Sequence, residues 1–174
     1  MSKNEKIYYE NFKDAVERNR KQIPAVHKKL KNAGVKYVLS SWIDLHGIPK
    51  SKPVPMSDFE QLCLGKGPQF AVHSISFVPE LTPADSDQVM LPDLNSVYIC
   101  PWDKTTAIIF ADLFWEEKPY NVCPRQALKR AMQKAQDSGY VGMAGIEPEF
   151  IAMKYDENGK PVKAVSYTHL TLPT

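Results

Sequence analysis

Cysteine is scarce: Cys63, Cys100 and Cys123 are the only three, an odd number at spacings of 37 and 23. Neither a disulfide framework nor a paired C-x-x-C zinc site fits that arrangement, and a reducing cytoplasm is its natural compartment. Each cysteine has apolar neighbours, as a small buried hydrophobe does. The four histidines are scattered, none at ligand spacing from a cysteine, which argues against zinc. Long hydrophobic runs are missing too. The longest uncharged stretch, residues 67–79, has 13 residues and includes Gly, two Pro, Gln, His and two Ser. A membrane span needs roughly 18 to 20 apolar residues, so no membrane partner is expected. The N-terminus, MSKNEKIYYENF, is charged from the start and lacks the apolar centre and cleavage site of a secretory signal.

Net charge is only +2 over 174 residues, with 43% hydrophobic and 24% charged, a balance that excludes a disordered or fibrous chain. The sign is unevenly spread. Residues 1–36 hold ten Lys/Arg against four Asp/Glu, and the remainder is net acidic. A basic arm for nucleic acid wants aromatic or Gly/Arg interleaving, whereas Tyr8, Tyr9 and Phe12 precede the basic cluster, so a solvated helix face is expected and no nucleic-acid partner.

Ile7, Tyr8, Phe12, Ala15 and Val16 follow a helical spacing up to about Arg20, and Pro24 suits the first turn of a second helix ending at Gly34. Residues 35–43 read as a strand, 44–47 as a turn, and 48–54 as a return strand cut short by prolines. Ser57 and Glu60 form a capping-box pattern for a short helix to about Leu64. Residues 66–87 read as a long loop with a short strand near 70–72. Strands follow at 88–91, 97–101 and 106–113, then a linker at 115–121. A helix opens with Pro124, carries Ala127, Leu128, Ala131, Met132 and Ala135 on one face, and stops at Gly139. Residues 141–153 read as a long strand, and 156–159 as a hairpin turn with no convincing return strand after it. The whole predicts an α+β fold.

The informative stretch is Gly145-Ile146-Glu147-Pro148-Glu149-Phe150. On a strand, Glu147 and Glu149 share a face with attachment points about 7 Å apart. Val141, Met143, Ile151 and Met153 lie on that same face, and Ala144, Ile146, Phe150 and Ala152 on the other, so both faces are expected to be buried. An exposed E-x-E pair is commonplace. Two carboxylates inside an apolar strand are not, because each ion loses several kcal/mol of hydration (about that order) unless something compensates. A hard divalent cation, Mg²⁺ or Mn²⁺, does so, and a proton shared between the two glutamates is the rival explanation.

Four blocks in order carry a resemblance: Trp42-Ile43-Asp44-Leu45-His46-Gly47, residues 87–93 (DQVMLPD), Cys123-Pro124-Arg125 with Leu128, and the Gly145–Phe150 run. Together they resemble the N-terminal part of a glutamine synthetase, more closely the branch labelled type III or γ-glutamylmethylamide synthetase-like. The resemblance implies a β-grasp-like N-terminal domain followed by the truncated start of an α+β catalytic domain. It divides the chain into a helical segment at 1–34, the β-grasp domain at 35–120 and the start of the catalytic domain at 121–164. It implies an enzyme that phosphorylates the γ-carboxylate of glutamate with ATP, after which ammonia or a primary amine displaces phosphate. It also implies Glu147 and Glu149 as metal ligands for Mg²⁺ or Mn²⁺, ATP as co-substrate, a cytoplasmic homo-oligomer, and further ligands and nucleotide contacts later in a longer chain. The competing readings are a stand-alone β-grasp binding module and an unrelated metal-binding or basic-arm protein.

Two departures stand out. Where many ammonia-using members have Phe-Asp-Gly-Ser-Ser in a loop reaching the neighbouring subunit's site, this chain has Phe70-Ala71-Val72-His73-Ser74. Ala71 replaces the aspartate that helps to hold ammonium, which opens the acceptor site to a primary amine. The last ten residues, 165–174, are uncharged, show no family pattern and resemble translated sequencing-adapter read-through. Deleting them is expected to leave stability unchanged. A thermal midpoint lowered by several degrees, a loss above about 1 kcal/mol, would overturn that reading.

Overall fold

A computed structural model describes residues 10–75 and 81–164 and divides the chain into two compact units, 1–141 and 142–174. In the first unit, helix α1 (Phe12–Asn32) is one continuous helix rather than the two expected. Pro24 lies inside it on the exposed face, where the carbonyl that loses its N–H partner can meet water. Asn11 caps the start by accepting from the Asp14 amide at 2.9 Å.

Strands β1 (Tyr37–Ile43) and β2 (Pro49–Pro55) form an antiparallel hairpin over seven residue pairs. The prolines do not shorten β2. Bonds from Asp44 N to Ile48 O and from Met56 N to Lys36 O fix which residues face β1, and by alternation Pro49, Pro53 and Pro55 turn their missing donors to the open edge. A 3₁₀ turn (Met56–Asp58) leads into the short helix α2 (Phe59–Cys63). The expected capping box does not form: Asp58 occupies the cap position without a side-chain bond, and Ser57 is taken up in the 3₁₀ turn. Gly65 is in the left-handed region, and a Cβ there would come within 2.6 Å of Phe12 Cζ.

The remaining strands are β3 (Gln69–Phe70), β4 (Gln88–Pro92), β5 (Tyr98–Ile99), β6 (Thr106–Trp115) and β7 (Lys118–Pro119). Sheet order is β2-β1-β6-β4-β3, with β5 and β7 also paired to β6. Among the described residues only the β1–β6 pair is parallel. β6 is shared along its length: residues 106–110 pair with β1, and 111–114 with β4. The sheet is a curled half-barrel, and the fold is mixed α+β. The linker expected at 115–121 is instead a tight hairpin, with Glu116 and Glu117 both at positive φ as its two-residue turn requires.

Ile23 and Leu30 of α1 pack with Val38, Val54, Phe59, Leu62, Ala107 and Ile109 in one core. A second core gathers Trp42, Phe70, Val72, Ile75, Met90, Leu113 and Tyr120. Helix α3 (Pro124–Asp137) has proline at its first turn and Gly139 at φ +81° after it, both as expected. Its Ala127, Leu128 and Ala131 are exposed, however, and the residue it buries is Gln126.

In the second unit, β8 (Met153–Tyr155) and β9 (Pro161–Lys163) form a hairpin around the 156–159 turn, so a return strand is present where none was expected. The Asp156 carboxylate accepts from the Asn158 and Lys160 amides and fixes the turn. The long strand expected over 141–153 does not form: residues 141–151 are outside any strand, the Ala164 amide donates to Ala152 O at 2.9 Å, and Met153 opens β8. The tail at 165–174 lies outside the described residues.

Asn19, wholly buried on α1, donates to Cys63 O at 3.0 Å and Pro92 O at 2.8 Å, bolting the helix to α2 and β4. Asn19→Leu puts a branched apolar side chain in the same place but removes the donor to two buried carbonyls. The expected cost is about 2–4 kcal/mol, read as a lowered midpoint in urea.

Candidate functional site

Glu147 and Glu149 are exposed, on a stretch without regular structure. Ile146 and Phe150 beside them are 90% and 78% exposed. The expectation that both faces are buried is therefore corrected. A strand buries its faces only when a ladder holds it in a sheet, and among the described residues no strand pairs with residues 142–151. Two carboxylates two residues apart suit a hard cation in donor chemistry, but among the described residues no third His, Cys, Asp or Glu joins them.

The Phe70–Ser74 run is well ordered by its surroundings. β3 ends at Phe70, and residues Val72–Ile75 form a 3₁₀ turn with Val72 and Ile75 buried and His73 and Ser74 exposed. The Phe70 ring stacks on Trp42 with centroids 4.2 Å apart. The Lys52 ammonium donates to Gln69 O, and the Leu45 amide donates to Ile75 O at 3.1 Å. This arch thus leans on the β1–β2 turn.

That turn is organised by Asp44, a residue only 2% exposed. Its Oδ1 accepts from the His46 and Ile48 amides, each at 2.9 Å, and Lys50 Nζ stands 3.3 Å from Oδ2. Gly47 supplies the left-handed residue, φ +77°. Burial raises the Asp44 pKa, but the Ile48 and His46 amides and the Lys50 ammonium outweigh it and hold the carboxyl below its ordinary range.

A further cluster was not anticipated from sequence. Asp112, in the middle of β6 and 3% exposed, accepts from Arg125 Nε at 2.9 Å and pairs with Lys129 Nζ. Arg125 Nη2 also pairs with Asp93. Burial raises the Asp93 pKa, and Arg125, with the Asn95 amide, Lys129 and Arg18, brings it below the ordinary value. The available signal was the i, i+4 spacing of Arg125 and Lys129 on a helix whose apolar stripe drew the attention. The cysteines are free and buried; desolvation pushes Cys63 up to about 12, which makes it a poor nucleophile. Among the described residues no helix is long and apolar enough to cross a membrane.

Residues 121–172 match the family model described as glutamine synthetase, catalytic domain. The match continues past residue 164 and so covers most of the tail set apart above as lacking any family pattern. The chain is 36% identical over 123 residues to a glutamine synthetase of Rhizobium meliloti, covering 71% of this chain and 28% of the relative. It is 29% identical over 127 residues to a glutamate–methylamine ligase of Methyloversatilis universalis, covering 72% and 28%. Among solved structures it resembles a GmaS–ADP complex with TM-score 0.60 and 27% identity, covering 65% of this chain and 26% of that one. The chain therefore spans little more than a quarter of the length of these proteins.

Asp44 yields a pH prediction. Its folded pKa lies below the unfolded value of about 3.9, so its stabilisation is complete above that pH and is lost as pH falls through the folded value. Asp93 has the same sign. Asp44→Asn is expected to lower the thermal midpoint at pH 7 and to flatten its fall below about pH 4, with the residual slope due to Asp93 and Asp103, whose carboxyls are also held below the ordinary value. An unchanged slope would show that the turn does not depend on the carboxylate.

Proposed function

Because the chain belongs to the glutamine synthetase family, we propose that it is the N-terminal portion of an ATP-dependent ligase that joins glutamate to ammonia or a primary amine. The product is glutamine or a γ-glutamylamide, formed through γ-glutamyl phosphate. The observation that carries this is the coincidence of the Glu147–Glu149 pair with residues matched to the family's catalytic domain. Likeness to both a glutamine synthetase and a glutamate–methylamine ligase supports the reaction class and leaves two acceptors in play. Ala71, at the position of the family's ammonium-holding aspartate, favours the amine.

In this reading residues 35–120 form the β-grasp domain after a helical segment at 1–34, and residues 121–164 begin the catalytic domain. The mixed sheet with one parallel central pair and a helix packed across it supports the β-grasp assignment. The family match runs on to residue 172, so the start of the catalytic domain is taken to extend into the tail. Glu147 and Glu149 would hold Mg²⁺ or Mn²⁺, which when bound neutralises charge gathered during phosphoryl transfer. The chain's own contribution is to present two carboxylates at one place and, from the 69–75 arch, a surface for the site of an adjacent subunit in a cytoplasmic homo-oligomer. The rival reading, a stand-alone β-grasp binding module, rests on the cores that the first unit builds for itself.

The 174 residues alone are expected to bind divalent metal weakly and to release no phosphate from ATP with glutamate and methylamine. Two carboxylates supply only part of an oxygen shell. In the full-length protein, Glu147→Ala and Glu149→Ala are each expected to abolish amine-dependent phosphate release. Near-normal turnover of either variant at saturating Mg²⁺ or Mn²⁺ would remove the metal role.

A further inference from the structure

β3 and β4 pair only at Gln69↔Val89 and Phe70↔Gln88, after which the chain leaves the sheet and turns. The carbonyls of Ala71 and Val72 therefore lose the ladder partners that β4 would give them. The Gln88 side chain supplies replacements. It is wholly buried, and its Nε2 donates to Val72 O at 3.1 Å and Ala71 O at 3.3 Å. A carboxamide nitrogen carries two hydrogens, one for each carbonyl. Its Oε1 has no partner among the described residues, so the fold uses this side chain as a donor. In the 3₁₀ turn that begins at Val72 the i to i+3 pattern also brings the Ile75 amide to Val72 O, and Ala71 O also accepts from the Ser74 amide at 2.9 Å, so Gln88 adds a second donor to each carbonyl and ties the turn to β4. The far end of the arch is held separately, by the Leu45 amide on Ile75 O. Between these two fastenings only His73 and Ser74 face outward.

We propose that Gln88 is a positioning residue for the acceptor-amine end of the ligase reaction, acting by fixing the 69–75 arch. The proposal rests on the ligase reading above for the arch's destination, and on this chain's own hydrogen bonds for the rest. A glutamate at this position cannot donate when ionised, and methionine cannot donate at all, so both substitutions remove the fastening while nearly preserving volume.

The test has two arms. In the 174-residue chain, hydrogen exchange of amides 72–75 in Gln88→Met and Gln88→Glu is expected to quicken by about tenfold or more, with amides of α1 unchanged. Two variants guard against one misfolding. Equal protection in all three proteins would overturn the proposal. In the full-length protein, Gln88→Met is expected to raise KM for methylamine by about tenfold while KM for glutamate and for ATP stay within about twofold. Parallel changes in all three constants, or none, would overturn the positioning role even if exchange quickens. Absence of amine-dependent phosphate release from the unsubstituted full-length protein would instead defeat the ligase reading and leave the exchange result standing for the arch alone.

Discussion

Asp112 stands at the centre of the first unit because both of its oxygens are claimed by α3. It lies on β6, the strand that pairs with β1, β4, β5 and β7. Arg125 and Lys129, one helical turn apart, reach it together, and Arg125 extends the link to Asp93 at the end of β4. A buried carboxylate with a single cation barely recovers its lost hydration, whereas one with two cations and further bonds is fully compensated. Removing the carboxylate would leave Lys129 without its ion-pair partner and Arg125 with Asp93 alone in a half-buried site, a loss of the order of 3–5 kcal/mol for a broken buried pair. The docking of α3 is thus electrostatic, aided by Gln126, which donates to Leu113 O at 3.3 Å.

This explains an inversion in α3. The helix has an apolar stripe and a polar stripe, and it is the polar one that meets the sheet. Leu128 is 60% exposed while Gln126 is 1% exposed. Hydrophobic patterning tells which stripe would rather leave water, but Asp112 and Asp93 offer the opposite stripe a specific partner for each cation. From the apolar stripe Leu128 alone rims a groove with Trp42, Ile43, Phe110 and Pro124, about 380 Å³ in volume. Nothing in local periodicity distinguishes a stripe facing the nearest sheet from one facing elsewhere.

The same distinction between local and distant information runs through the chain. The β1–β2 turn was legible because Asp44, Gly47 and their neighbours solve a local problem with local bonds, and so was the 156–159 hairpin turn. β4 and β6 were legible from β-branched and apolar runs. The β2 prolines were misjudged because their effect depends on strand parity, which the distant bonds at both ends of the hairpin set. The 3₁₀ turn before α2 displaced the Ser57 cap, and the Glu116–Glu117 turn adopted a conformation that Asn or Gly would have advertised. Gln88 and Asp112 were invisible as anchors, since their partners lie many residues away.

The Glu147–Glu149 pair shows what a pattern can and cannot encode. Apolar residues on both alternations of 141–153, interrupted by two carboxylates on one side, describe a strand that is buried on two faces with an ionic site on one. The description concerns a sheet, and a sheet needs a second strand. Among the described residues β9 reaches only Met153–Tyr155, leaving the carboxylates solvated beside exposed Ile146 and Phe150. In water each carboxylate keeps its hydration, so the physical demand for a counter-cation, which depended on burial, is weak here. On the proposed metal role, affinity at this pair would therefore depend on further strands that dehydrate the two glutamates and bring further oxygens.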